Sequence, residues 1–347
     1  MSAINPKTTT REIEVLGAPA VPGLRFRGFG GDGDLPRMVQ VFNRCAAADR
    51  IERVTTLDEI RNFYTHQPNF DPSQDLLLAE VDDELVGYGR VAIREEAGGL
   101  RLGLHWASLV PDWRRRGIGG AMLAAAQRRL REIAADLPPG PRTLFQSNLA
   151  EGEVGAHALL QREGYTPTRR SFVMARPDLD HLPKSPLPAG LVVRTARREE
   201  YRKVFEADSE AFQDHWGYIP PAEEDFERWL GEPTTDPGLW QVAWDGDEVA
   251  GMVLNYINAE ENTRYNRSRG YTEDICVRRP WRRRGLARAL IVRSLAMLRD
   301  RGMSQAALGV DAENLTGALG LYESLGYRPV QRWTLYRKEM QLHRSDR

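Results

Sequence analysis

Apolar and polar positions alternate in the same order in both halves of the chain. Leu76 to Ile93 (LLLAEVDDELVGYGRVAI) and Leu239 to Ile257 (LWQVAWDGDEVAGMVLNYI) each read as an apolar strand, an acidic turn and a second strand marked by Gly87 or Gly251. A further strand follows in each, LGLHWASLV in the first half and YTEDICV in the second. The period then changes from two to that of a helix, over Ile118 to Asp136 and Leu286 to Arg301. Strands recur around Thr143 to Gln146 and Gln305 to Val310. Each half closes with a short helix, a Gly-Tyr pair and a last strand, REGYTPTRRSFVMA and SLGYRPVQRWTLYRKEM. The pattern predicts two mixed α/β domains of α+β type, each with hairpins before a helical crossover.

Between the third strand and the helix the repeat is nearly literal. WRRRGIGGAML runs from Trp113 and WRRRGLARALI from Trp281, and Gly117 and Gly285 are 285 − 117 = 168 positions apart. An arginine-rich turn opening a helix directs free backbone N–H groups, the positive end of the helix dipole and guanidinium donors at one point, which suits a phosphate or pyrophosphate. An arginine run on its own is also consistent with a solvated face or a nucleic-acid patch. Two runs, each ending in G-x-[G/A] at a helix start, favour the anion turn. RRRGIGG lacks the G-x-G-x-x-G spacing of a dinucleotide fold, and no G-x-x-x-x-G-K-[ST] occurs.

Length and composition narrow the picture. The 347 residues suit two domains, and the Pro-rich stretch Arg176 to Gly190 reads as a linker. The expected organisation is therefore a first domain over 11–176, a linker over 177–189 and a second domain over 190–347. A net charge of −1 gives no general pull toward nucleic acid or membrane. Cys45 and Cys276 stand in unrelated contexts, which fits a reducing cytoplasm and argues against a cysteine-based zinc site. No signal peptide and no spanning apolar run is visible.

These residues resemble the GNAT acetyltransferase superfamily, whose signature [R/Q]-x-x-G-x-[G/A] stands here as Arg114-Arg115-Arg116-Gly117-Ile118-Gly119 and Arg282-Arg283-Arg284-Gly285-Leu286-Ala287. The resemblance covers almost the whole chain, and the tandem layout is similar to that of the mycothiol synthase-like members. It implies acetyl-CoA as co-substrate, no metal, and a strand before the turn that splays from its neighbour. It also implies that Cys276, Val277 and Asn314 in the second half, and Leu109 and Val110 in the first, meet the pantetheine arm, with the two arginine turns on the pyrophosphate.

The same resemblance distributes the chemistry unequally. Tyr322, four residues before Gly326, stands where the family keeps a tyrosine that protonates the departing thiolate. The first half has Leu160 four residues before Gly164 and is four residues longer here, 16 positions from Asn148 to Gly164 against 12 from Asn314 to Gly326. Four positions before Val277, where several members keep a proton acceptor, stands Glu273; strand alternation turns Asp274 to the opposite face. The matching residue before Leu109 is His105, either a relic base or a polar residue packed beside Trp106. Tyr322 also reads as a half-buried core aromatic, and Glu273 as an edge-strand partner of an arginine. Acceptor specificity is expected from the loop carrying Asp214, His215, Trp216 and Tyr218, which the first half lacks.

The expected function is thus an acetyl-CoA-dependent N-acetyltransferase acting on a primary amine of a small molecule, without nucleic acid or membrane, as a monomer or homodimer in the cytoplasm. The second half is the expected working domain, the first a degenerate partner. The competing class is a non-catalytic acyl-CoA-binding sensor. A transferase using aminoacyl-tRNA needs a basic surface that the near-zero net charge does not favour.

Overall fold

The computed structural model describes residues 11–138, 142–314 and 317–341. It divides into two compact units: the chain up to Arg169 together with the segment from Thr334 onward, and Arg170–Trp333. The first unit carries β1 (Leu24–Arg27), α1 (Leu35–Ala48), α2 (Leu57–Thr65), the single turn α3 (Pro72–Asp75), β2 (Leu76–Val81), β3 (Glu84–Glu95), β4 (Arg101–Leu109), α4 (Ile118–Asp136), β5 (Thr143–Ala150) and α5 (Val154–Arg162). β6 (Thr166–Arg176) runs from the first unit into the second. The second continues with β7 (Val192–Arg194), α6 (Tyr201–Phe212), α7 (Glu223–Leu230), β8 (Gln241–Asp245), β9 (Glu248–Tyr256), α8 (Ala259–Arg264), β10 (Arg269–Val277), α9 (Leu286–Asp300), β11 (Gln305–Asp311) and α10 (Ala318–Ser324). β12 (Arg328–Glu339) ends in the first unit.

In the first unit β1, β2, β3 and β4 pair antiparallel in sequence, and β5 adds parallel to β4. The β2–β3 turn places Asp82 and Asp83 in the left-handed region, the backbone a two-residue hairpin turn requires. α1 lays Met38, Val41 and Cys45 on Leu78, Val86 and Tyr88, while Leu123 and Leu130 of α4 and Leu160 of α5 join Phe145, Leu149 and Tyr336 in a separate cluster. The second unit repeats the plan: β7, β8, β9 and β10 are antiparallel, and β11 is parallel to β10.

The compact units are not the two sequence halves laid end to end. β6, read as the last strand of the first half, pairs with β11 from Ala306↔Arg176 to Asp311↔Ser171, inside the second unit. Reciprocally, the chain end joins the first unit, where the Met340 amide donates to the Thr143 carbonyl at 3.0 Å and Arg337 bonds Glu96 and Gln146. The expected linker, 177–189, lies wholly within the second unit: Arg176 donates to the carbonyls of Asp178, His181 and Leu325.

Candidate acyl-transfer clefts

In each unit the parallel pair that precedes the arginine turn opens partway along. β10 and β11 are in register only from Arg269↔Gln305 to Tyr271↔Ala307, and β4 and β5 only from Arg101↔Thr143 to Leu104↔Gln146. Beyond those pairs both strands continue without backbone pairing to each other, which leaves a gap that a ligand arm can enter.

The turn that follows is built alike in both units. The first arginine reaches back to the strand end, Arg114 Nε to the Leu109 carbonyl at 2.8 Å and Arg282 Nε to the Val277 carbonyl at 2.9 Å. Each is held from above by an aspartate: Asp49 takes both terminal nitrogens of Arg114, at 2.6 and 2.8 Å, and Asp214 pairs with Arg282 at 3.1 Å and with Arg279. The second arginine takes left-handed backbone, φ 63° at Arg115 and 61° at Arg283, and the glycine follows at 87° and 81°. Arg116 and Arg284, between them, are not left-handed, and such alternation turns backbone N–H groups inward as an anion nest at a helix N-terminus. Ile118 and Leu286, both buried, anchor the helix below, while Arg115, Arg283 and Arg284 are exposed and make no ion pair among the described residues. At Gly285 a side chain would meet no atom within 4 Å, but at Gly117 Pro19 stands 3.0 Å from the Cβ position. Arg116 lies over Trp113, 4.5 Å from the ring centre.

The clefts differ in what faces the gap. In the second, Glu273 accepts a hydrogen bond from the Gly309 amide of β11 at 2.9 Å, so its carboxylate spans the opening. Burial, then the neighbouring Asp274 charge, raise its pKa to about 8. The strand carries a bulge: β9 advances three residues, Leu254 to Gly251, while β10 advances four, Glu273 to Val277, and Asp274 takes φ 45°. The alternation expected to turn Asp274 away is broken there. Burial and then Asp274 push Asp208 of α6 well above the carboxylate range, one of its oxygens is buried without a partner, and Asp274 itself rises to about 6 by burial. Tyr322 is buried and its hydroxyl makes no hydrogen bond to a described residue; burial and then the Glu273 charge raise its pKa.

The first cleft holds a different carboxyl: Glu153, past the end of β5, accepts from the Ala150 amide at 2.7 Å, and burial raises its pKa to about 7. β3 and β4 stay in step from Gly87↔Leu109 to Glu95↔Arg101, without a bulge. His105 is buried, its Nε2 lies 2.8 Å from the Tyr165 hydroxyl, and burial lowers its pKa to about 4. Leu160 is buried in the apolar cluster. The cleft nevertheless opens into a cavity of about 790 Å³.

Several expected site residues hold other positions. The Val110 amide donates to the Val86 carbonyl and is not available to a ligand arm; the matching donor in the second unit is Arg278, to Ala250. The repeat therefore pairs Ser108 and Leu109 with Cys276 and Val277. Cys276 packs into the cluster beneath α6, and Asn314 lies in the turn after β11 with its amide on the Asp311 carbonyl. Asp214 braces the turn, and its two arginines hold its pKa down near 2. His215 packs on Phe212 with ring centres 4.5 Å apart, the Tyr218 hydroxyl bonds Ser209 at 2.5 Å, and Trp216 is 40% exposed. The acidic brace was readable from the repeat, since Asp49 precedes Arg114 by 65 positions and Asp214 precedes Arg282 by 68. Asp208 and Glu153 carried no such signal. Among the described residues no three His, Cys, Asp or Glu side chains are grouped to hold a metal, and no helix is long and apolar enough to cross a membrane.

Comparison with known proteins agrees with this geometry. The acetyltransferase (GNAT) family model matches residues 36–137 and 201–327. A mycothiol acetyltransferase of Geodermatophilus obscurus is 31% identical over 257 residues, 73% of this chain and 79% of that one. Another, from Thermobispora bispora, is 32% identical over 261 residues, 75% and 81% of the two chains. A crystal structure of a GCN5-related N-acetyltransferase from Sphaerobacter thermophilus aligns with a TM-score of 0.68 at 27% identity, covering 92% of this chain and 96% of that chain. With a splayed strand pair and an arginine nest in each unit, and a family match in each, the chain belongs to the GNAT family of N-acetyltransferases, in tandem form.

Proposed function

We propose that the second unit transfers an acetyl group from acetyl-CoA to a primary amine of a small molecule, by direct attack within a ternary complex in the cytoplasm. The observation that carries this reading is the Glu273 carboxylate held across the gap by the Gly309 amide, with the Tyr322 hydroxyl coupled to its charge. In this reading Arg283, Arg284 and the amides from Arg282 to Ala287 hold the pyrophosphate, and Cys276, Val277 and Asn314 line the pantetheine arm. Glu273 takes the proton of the attacking ammonium. The free amine forms the new C–N bond as the C–S bond breaks; Tyr322 gives its proton to the leaving sulfur, and the second proton that the nitrogen sheds in becoming an amide restores the tyrosine. A carboxyl near pH 8 is matched to an ammonium better than an ordinary glutamate, because proton transfer is most efficient when donor and acceptor are close in pKa. The relatives named mycothiol acetyltransferase make a mycothiol-related amine the first acceptor to assay.

The test is acetyl-CoA consumption across a panel of small amines, with coenzyme A affinity measured alongside. Turnover that depends on the amine and on Glu273 and Tyr322 is the expected result. Tight coenzyme A binding without turnover for any amine would make the protein a sensor instead.

A further inference from the structure

The two arginine turns differ in what lies on their glycines. A glycine in an anion nest leaves the backbone bare, so that a phosphate can come close to it. In the second unit that approach is clear: no atom stands within 4 Å of the Cβ position of Gly285. In the first unit it is taken. Pro19 places its Cβ 3.0 Å and its Cγ 3.4 Å from the Cβ position of Gly117.

Pro19 belongs to a strap that leaves and rejoins one strand. The Ile13 amide donates to the Phe26 carbonyl of β1 at 2.8 Å, the chain runs out over the turn, and it returns to begin β1 at Leu24. The crossing piece, Ala18-Pro19-Ala20-Val21-Pro22, is stiffened by two prolines. It lies between Gly17 and Gly23, both with left-handed backbone, φ 74° and 73°. A stiff piece between two such glycines can swing as a body. The strap is anchored at its start, where Val15 is buried in the apolar cluster with Phe26 and Leu76, and Arg128 donates to the Glu14 carbonyl at 2.9 Å. Past that anchor Leu16 is exposed. A cavity of about 310 Å³ is lined by Leu16 and Gly17 of the strap and by Gly120, Ala124 and Gln127 of α4. The corresponding stretch of the second unit, residues 186–190 before β7, also carries two prolines and a glycine, yet leaves Gly285 uncovered.

We propose that the strap, residues 14–23, gates the first arginine turn: closed over Gly117 in the free protein, it swings aside to admit the pyrophosphate of a coenzyme A ligand. The inference rests on the reading that a turn of this build seats such a pyrophosphate. It adds that the first seat, unlike the second, is closed by the chain itself. Opening lifts Pro19 off Gly117 and strains the anchor at Val15. The apparent affinity of the first seat is therefore its intrinsic affinity reduced by the open fraction, and whatever holds the strap down weakens the ligand.

The experiment measures coenzyme A binding to the full chain by calorimetry, first in the parent and then with Gly285→Val disabling the second turn. In the Gly285→Val background, Val15→Ala and Pro19→Gly should each bind coenzyme A about tenfold tighter. Val15→Ala removes two methyl groups, and each buried carbon contributes up to about fourfold. In the parent chain the same substitutions should raise the coenzyme A bound at a fixed concentration from about one to about two per chain. A truncation that strengthens a ligand is not what a merely structural segment gives, and Gly117→Val added to either variant should abolish the gain. Unchanged affinity overturns the gate. Weaker binding overturns it too, because the strap would then be a wall of the site. No binding to any Gly285→Val variant, with binding intact in the parent, overturns it while sparing the second turn. Parent binding that Gly285→Val leaves unaltered fails the underlying reading instead, and the gate falls with it.

Discussion

At the scale of single residues the chemistry proposed for the second cleft rests on two protons. The Tyr322 hydroxyl can be removed without touching the ring packing, so Tyr322→Phe should lower kcat by about tenfold or more, within the 10²–10⁴ range of general acid–base effects, while acetyl-CoA affinity holds. Steady-state kinetics with a direct binding measurement checks the split. Glu273 makes two predictions with a definite sign. Its carboxyl must be ionised to accept a proton, so kcat/KM should fall as pH drops below about 8, and Glu273→Gln should abolish that limb. Its folded pKa is raised from 4.5, so the folded state holds a proton that the unfolded chain has released. Stability should therefore decline as pH rises from about 4.5 to about 8, and the glutamine variant, having no such group, should decline less. Melting temperatures from pH 5 to 9 measure the difference. The places of Glu273 and Tyr322 beside the gap and the Gly-Tyr pair were legible in the sequence because each stands at a fixed distance from a local motif, and the roles proposed for them wait on the variants above. Asp208 was not, since a carboxylate on a helix looks solvated until the helix is laid over the bulge at Asp274.

At the scale of elements, strand, turn and helix were legible because hydrophobic period and the two G-x-[G/A] motifs are local signals. The bulge was invisible: aspartate tolerates the left-handed backbone well enough that no glycine or proline need mark the site. It matters because it separates the two clefts more than any loop does, breaking the alternation of β10 while β4 keeps it. The turns permit a paired test. Val at Gly285 meets open space but must adopt φ 81°, a strain of about 1–2 kcal/mol, and its bulk faces the proposed pyrophosphate seat. Val at Gly117 adds a collision with Pro19, 3.0 Å from the Cβ position, so its thermal destabilisation should be the larger of the two. Activity should show the reverse order, with Gly285→Val nearly inactive and Gly117→Val retaining most turnover at a temperature where both remain folded. Loss of turnover only in Gly117→Val would exchange the roles of the units.

At the scale of the whole molecule the exchange of closing strands decides what can be cut. Sequence patterning assigns β6 and the end of β12 to the halves that encode them, since a strand's alternation states its faces but not its neighbour. Only the register reveals that β6 completes the sheet of the second unit, and that the chain end packs Tyr336 and Met340 into the first unit's cluster with Phe145 and Leu149. A fragment starting near Leu187, which composition marks as a clean domain start, therefore loses β6 entirely. Six residues of β11, Ala306 to Asp311, would present an unpaired edge beside Met174 and Phe172's vacated contacts in the apolar cluster. That fragment should be aggregation-prone and inactive, although it keeps Glu273, Tyr322 and the whole second turn. Ending the chain after Trp333 should do the opposite, leaving β11 paired but stripping the first unit of Tyr336, Met340 and the Arg337 bonds. A fragment from Arg170 to Trp333 keeps the β6 residues that pair with β11, Ser171 to Arg176, and the second cleft. It should be the smallest soluble piece that turns over acetyl-CoA, and a size-exclusion profile with an amine assay compares it directly with the Leu187 fragment. Equal solubility and activity of the two would show that β6 is dispensable to the second unit.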